Sequence, residues 1–357
     1  MEKIETGIDF PHKVSRKERR QAKERLRRKK IRKIIRTIIL TFVIVIFSFI
    51  GLIRAGIFSD LQEFLVTSAM TTMSHKYIAN IFASDNQIKN IMENNKVIEN
   101  YEKFDESKIT EDGKLDKVEI KDISKDGYTG YMLIVSNPKR VFLGTSGKLG
   151  EYGTKISQLA EDYDAMAGIN AGGFSDENGT GKGGIPTGII IEDGVIKYIE
   201  KGLNKFNIIG FNNKGVLIIG QYTLDEINRL KIRDAIDFRP FLIVNGKPTK
   251  MYGNGGWGTA PRTAIGQRAD GTVLFVVIDG RQVHSAGATM KQLQDIMIEN
   301  KAVNAANLDG GSSSVMYFED KIVNSPSSVY GDRYLPSAFL VKGDGLASEN
   351  IINNLNN

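Results

Sequence analysis

Residues 273–281 read VLFVVIDGR, an aliphatic run closed by Asp279, Gly280 and Arg281. A short apolar segment rich in β-branched residues and ended by an Asp-Gly turn signal predicts a strand. The same grammar recurs outward from it, in YMLIVS from Tyr131, RVFLGTS from Arg140, VLIIG from Val216 and FLIVNG from Phe241. Helical signals are fewer. Thr223-x-x-Glu226 forms a capping box for a helix to Leu230, and Thr289 followed by Met290, Lys291 and Gln292 opens a longer one carrying Leu293, Ile296 and Met297. Many strands with few helices give a β-rich α+β domain of mixed sheets over residues 126–345, rather than a regular βαβ repeat.

The chain of 357 residues has no cysteine, which excludes disulfides, thiolate metal sites and a cysteine nucleophile. Its charge is +6, but residues 1–36 hold 15 Lys/Arg against 5 Asp/Glu, leaving 33 against 37 for the rest. The large part of the chain is mildly acidic, so a phosphate-backbone footprint for nucleic acid is not expected. The basic residues fit anionic lipid headgroups instead.

Thr37 to Ile53 carries no charge over 17 residues and follows the cluster RLRRKKIRKIIR. At ~1.5 Å per residue, extended by the stems of Arg36 and Arg54, this approaches the ~30 Å hydrocarbon layer. The expected layout is a basic cytoplasmic tail at 1–36, a membrane-spanning helix at 37–57 and everything later outside the cell membrane, in a single pass. A cleaved signal peptide is the alternative. Residues 58–125 are expected to form a helical stalk and linker, with helical spacing over 59–100 broken near Thr67–Ser74, and residues 346–357 a polar tail.

Four segments beside predicted strands are dense in small and polar groups. In Asn307-Leu-Asp-Gly-Gly-Ser-Ser-Ser314, the side chains of Asn307 and Asp309 share a face if the strand continues, and Gly310 and Gly311 free the backbone to meet an anionic oxygen beside Ser312 and Ser313. A plain Asp-Gly turn explains the same residues. Asp279 ends a strand where a sheet can deliver a carboxylate, with Arg281 and His284 close by; here too a turn is the simpler alternative. Arg262 follows the loop YGNGGWGTAP, so it could fork onto a phosphate while Trp257 stacks on a sugar, or pair with a structural acid. Asn170 precedes Gly172 and Gly173, whose amides could face a ligand, unless Asn170 only anchors a loop. The hard oxygen donors Asp279, Asp309, Asn170 and Asn307 suit calcium or magnesium, but no required cofactor is named by the sequence. Walker, G-x-S-x-G and His-Glu-x-x-His motifs are absent.

Taken together, Asn170–Phe174, PRTAIG from Pro261, the DGR triplet from Asp279 and Asn307–Ser314 resemble the phosphodiester glycosidase domain family. That family includes the enzyme that uncovers the lysosomal targeting signal and bacterial exopolysaccharide-related proteins. The resemblance covers roughly residues 130–342, and the string YGDRYLPSAFLV near its end also looks like bacterial members. It implies hydrolysis of a sugar-1-phosphodiester at the glycosidic C1–O bond, with Asp309, Asp279 and Arg262 as catalytic candidates. Substrate binding would fall to Asn170, Gly172, Gly173, Trp257, Arg281, His284, Asn307, Gly310, Gly311, Ser312 and Ser313. The expected partner is a cell-surface phosphoglycan or exopolysaccharide; a non-catalytic glycan-binding or assembly protein is the alternative. One departure stands out: the family pattern often has a third glycine where this chain has Ser312, and a positive φ there would strain a serine.

Overall fold

A computed structural model describes residues 15–72, 76–110, 116–175, 182–328 and 331–343. The expected tail at 346–357 and the first part of the basic tail lie outside the described residues. The helix Arg16–Arg54 begins at a capping box between Ser15 and Glu18 and continues unbroken from the basic segment into the apolar one. It is long and apolar enough to cross a membrane, and none of its most apolar window is buried among the described residues.

Its far end does pack. Ile53 is buried, Arg54 donates to the Asn80 carbonyl, and Gln87 Nε2 donates to the Arg54 carbonyl at 3.0 Å. The short helices Ser59–Met70, Ala79–Phe82 and Asp85–Asn94 close around Val66, Ala69, Ala79, Ala83 and Ile88. The helical pattern expected to residue 100 stops at Asn94. Lys96–Ile98 is instead a strand, paired antiparallel with Lys250–Tyr252, because an exposed strand edge offers hydrogen bonds that a further helical turn would lack. The segment expected as a helical stalk is thereby stitched to the β-domain. That domain also starts earlier than residue 126, since Val118–Asp122 is the edge strand beside Gly130–Val135.

Three large sheets share one core. A seven-stranded sheet runs Lys247–Pro248, Phe241–Val244, Ala302–Asn307, Arg262–Arg268, Val273–Ile278, Gly130–Val135 and Val118–Asp122. One five-stranded sheet contains Ala165–Asn170 between Met316–Phe318 and Ser337–Lys342; the other is centred on Phe206–Asn212, Ile232–Asp237 and Ile189–Glu192. Phe211, Phe241, Phe275, Phe339 and Ile169 meet where the inner faces converge. All the pairings between these strands are antiparallel.

Each sheet covers its outer face with one helix: Met290–Glu299 on the seven-stranded sheet, Ile156–Asp162 and Leu224–Arg229 on the others. VLFVVI is consequently buried at every position. Burial of each such side chain stabilises the fold by roughly 1.5–3 kcal/mol before entropy is counted. The two capping boxes form as the sequence predicts, at Thr223 with Glu226 and at Thr289 with Gln292.

Candidate active site

Register decides where the polar segments emerge. Arg262 is opposite Ile278 and Ala264 is opposite Asn307, so Arg262, Asp279 and the Asn307 loop leave one end of the seven-stranded sheet together. In the adjoining sheet, Ala338 opposite Asn170 and Met316 opposite Ile169 bring Asn170 to its strand end. Main-chain bonds close the gap: Leu308 N donates to Thr263 O at 2.8 Å and Asp309 N to Ala171 O at 3.1 Å.

Asn170 sits fully buried at this junction. Its Nδ2 donates to the Asp309 carbonyl at 2.6 Å, while its Oδ1 accepts from Thr263 Oγ1 at 2.8 Å and from Val315 N at 3.1 Å. Every polar atom is engaged inside the protein, so Asn170 positions the Asp309 loop from below. Gly311, at φ +63°, turns that loop and donates to the Pro261 carbonyl at 2.9 Å. Ser312 lies in the following short 3-10 turn and is not among the positive-φ residues, so the serine at the family's glycine position is unstrained.

Asp309 lines the cleft that opens above, half-buried, with Gly310 N donating to its Oδ1 at 3.0 Å. Burial pushes its carboxyl up to about 6, opposed by hydrogen bonds from Ser313 and Gly310 and by the charge of Arg333. Among the described residues lining the cleft it is the single carboxylate.

Three guanidinium groups line the same cleft. Arg262 is buried without a carboxylate partner among the described residues: Nε donates to Ala288 O at 3.0 Å, and Nη2 to Trp257 O and Gly258 O, both at 2.6 Å. Nη1 is left for the cleft. Burial, reinforced by the charge of Arg281, lowers the Arg262 pKa to about 9. Arg281 occupies a left-handed backbone position at φ +58°, which aims its guanidinium across the Cα face of Gly311. Its pKa is lowered by burial although part of the side chain stays exposed. Arg333 packs over the Phe174 ring and donates to Ser312 Oγ at 3.1 Å.

The other candidates divide. Asn307, Gly310, Gly311, Ser312, Ser313 and Trp257 line the cleft with Asp309, Arg262 and Arg281. Asn307 Nδ2 donates to Arg239 O at 3.2 Å, and its buried Oδ1 has no partner. Gly172 lies against Ile236, and Gly173 admits the Phe238 ring, which an added Cβ would meet at 2.7 Å. Asp279 does not line the cleft. Its carboxylate accepts from Asn324 Nδ2 at 2.8 Å and Ser325 N at 3.0 Å, and Asn324 also donates to Ser314 O at 3.1 Å. Asp279 therefore braces the loop carrying Ser314; burial raises its pKa against those bonds and the nearby His284. His284 is exposed on the loop after Arg281.

Phe174, at the end of the Asn170 segment, lines the cleft too, as do Ala260, Leu308 and three residues outside the expected site, Phe238, Arg333 and Thr71. Arg333 lies in the YGDRYLPSAFLV string, which was the available signal; Thr71 carried none. Thr71 arrives with the helix Ser59–Met70, which presses on the loop before Arg262. Ser68 Oγ accepts from Thr259 N at 3.3 Å, Asn254 Nδ2 donates to Thr67 Oγ1 at 3.1 Å, and a Cβ on Gly258 would stand 2.5 Å from the Ser68 Cα.

Of the oxygen donors expected to suit calcium or magnesium, two residues are already committed within the protein. The oxygens of Asn170 and Asp279 already accept protein N–H and O–H groups, leaving Asp309 and the Asn307 Oδ1 beside three cations. No group of three His, Asp or Glu side chains among the described residues is placed to hold a metal ion.

Comparison with known proteins supplies a family context. The family described as phosphodiester glycosidase matches residues 163–342. A SPbeta prophage-derived protein of Bacillus subtilis, YomE, is 27% identical over 200 residues, covering 54% of this chain; the chain spans 29% of that protein's length. The fold resembles the catalytic domain of zebrafish N-acetylglucosamine-1-phosphodiester alpha-N-acetylglucosaminidase in its form auto-inhibited by pro-peptide. The TM-score is 0.54 at 20% identity, covering 68% of this chain and 88% of that one.

Proposed function

We propose, from the premise that this chain belongs to the phosphodiester glycosidase family, that it hydrolyses the C1–O bond of a sugar-1-phosphodiester. The observation that carries the reading is one ionisable carboxylate, Asp309, sharing a cleft with Arg262, Arg281 and Arg333. A phosphate leaves far more readily than an alkoxide, so neutralising its oxygens matters more than a strong general acid. The Arg281 guanidinium, with no protein acceptor among the described residues, and Nη1 of Arg262 are the phosphate ligands. Ionised Asp309 stands beside the anomeric carbon, where it opposes the oxocarbenium-like charge. The C1–O bond breaks with its electron pair passing to the phosphate; water supplies the new hydroxyl at C1, and its proton is released. Trp257 and Phe238 offer faces for the sugar.

The substrate we infer is a phosphate-linked glycan of the cell surface. The basic cluster before the apolar helix supports a cytoplasmic N-terminus, with the cleft on the outer side of the membrane. Protease added to intact protoplasts should then remove the β-domain and spare the basic tail.

The chemistry is tested with the full chain in detergent, offered sugar-1-phosphodiesters and alkyl glycosides in 18O-labelled water. Label in the released sugar is expected. Label in the phosphate would mean P–O cleavage and overturn the assignment, and binding without any turnover would leave a glycan-binding protein.

A further inference from the structure

We propose a second site, outside the catalytic cleft, that binds the next anionic repeat of a phosphodiester-linked glycan and makes the polymer, rather than a single linkage, the preferred substrate. The proposal rests on the reading above for the cleft itself.

The site is a pocket lined by Lys148, Tyr152, Lys155, Asp162, Lys182 and Tyr334. Its floor is built rather than incidental. Three chain segments are zipped together: Gly150 N donates to Gly184 O at 2.7 Å, Gly153 N to Lys182 O at 2.7 Å, and Thr154 and Leu335 exchange bonds at 2.8 and 3.0 Å. The approach is so close that a Cβ on Gly183 would lie 1.9 Å from the Tyr334 carbonyl oxygen, and one on Gly184 2.3 Å from the Glu151 carbonyl carbon. Only glycine permits this floor, and the floor holds the lysines and tyrosines in place.

The chemistry of the walls selects the ligand. Lys155 is paired with Asp332 at 3.2 Å, and Asp162 accepts from Gln158 at 2.9 Å. Lys148 and Lys182 have no acid partner among the described residues, and the Lys182 ammonium lies 5.1 Å from the Tyr152 ring centroid. Tyr152 and Tyr334 are each 49% exposed, leaving ring surface free to meet a sugar face. Two ammonium groups without an acid partner among the described residues, beside half-exposed tyrosine rings that Lys182 and Lys155 approach from one side, match a sugar carrying a phosphate. Among the lining residues there is no aliphatic patch of the kind a lipid tail would cover.

Position links the pocket to the cleft. Arg333 lines the cleft and its chain neighbour Tyr334 lines the pocket. The two linings therefore adjoin along the chain at Arg333 and Tyr334, and the proposal is that one glycan chain spans both. Engagement of both places by one molecule raises affinity without new contacts at the bond being cut.

The test uses the full chain in neutral detergent with Asp309→Asn to prevent turnover, and measures binding of a four-repeat phosphodiester-linked hexose oligomer and of its one-repeat fragment. The four-repeat probe is expected to bind at least about tenfold more tightly, and Lys148→Gln with Lys182→Gln to cut that ratio below about threefold while leaving the fragment's affinity unchanged. Lys148→Arg with Lys182→Arg keeps the charge and should keep the ratio, which separates loss of charge from loss of folding. Equal binding of both lengths before the lysines are changed, or a ratio indifferent to them, overturns the proposal. Lysine-dependent capture of phosphatidylglycerol in nanodiscs, with the length ratio untouched, overturns it in favour of a lipid headgroup. A lysine-dependent ratio in a chain whose unsubstituted form hydrolyses no sugar-1-phosphodiester would sink the catalytic reading and leave the second site standing.

Discussion

Asn170 Nδ2 donates to the main-chain carbonyl of Asp309 at 2.6 Å, joining residues 139 positions apart in sequence. Through this bond the end of one sheet sets the height of the carboxylate that leaves the other. The cleft is thus held between sheets, and its acid, its arginines and its supporting amides perform separable tasks.

The first separation concerns Asp309. Asparagine preserves the shape and an oxygen for Gly310 N but removes the charge, so Asp309→Asn should lower kcat/KM by at least about 100-fold. Stability should not fall. The folded-state pKa of about 6 lies above the ordinary carboxylate value, so the folded form holds the proton more tightly and loses stability as pH rises from the ordinary value through 6. Removing the charge should therefore leave Tm at pH 7 unchanged or higher, read by thermal denaturation at pH 4 and pH 7. A large loss of folded protein would mark Asp309 as a turn-holding residue.

The same carboxyl sets an acid limb. The reaction needs Asp309 ionised, so kcat/KM should climb with pH through about 6 and level off above it. A profile flat between pH 5 and pH 7 would take its ionisation out of the rate-determining chemistry.

Arg281 and Arg262 should separate in how they fail. The Arg281 side chain donates no hydrogen bond within the protein among the described residues, so Arg281→Ala should reduce kcat/KM about 100-fold at unchanged Tm. Arg262 holds the carbonyls of Trp257, Gly258 and Ala288, so Arg262→Ala should cost about 2–3 kcal/mol of stability as well as activity. Urea denaturation of both variants distinguishes the two patterns.

Asp279 is expected to behave as a brace. Asp279→Ala strands Asn324 Nδ2 and Ser325 N in a buried site and should destabilise by about 1–3 kcal/mol. Activity per folded molecule should fall far less than in Asp309→Asn. An equal loss at full stability would return Asp279 to the chemistry.

The helix Ser59–Met70 should report on the site. Gly258→Ala places a methyl 2.5 Å from the Ser68 Cα at a φ of +58°, pushing that helix and the Arg262 carbonyl anchors apart. Both Tm and kcat/KM should fall. Unchanged activity would show that the helix can move away without disturbing Arg262.

What the sequence determined by itself is what short range decides. The capping boxes at Thr223 and Thr289 close within one turn, and the apolar runs at Val273 and Phe241 have strand character whatever they pair with. The membrane-length helix and the glycine-bearing loop after Asp309 are equally local, and the four polar segments together carried the family resemblance. Tertiary structure decided which carboxylate faces the cleft. Asp279 and Asp309 both stand before glycine after a strand, but only the register of the sheets turns the first toward Asn324 and leaves the second in the open. Arg333 and Thr71 reach the cleft from a late strap and an early helix, and Lys96–Ile98 leaves its helical neighbours for a strand edge that begins at Lys250. Such choices rest on hydrogen bonds between residues far apart in sequence, whose free energy is gained only once the sheets have closed on their common core.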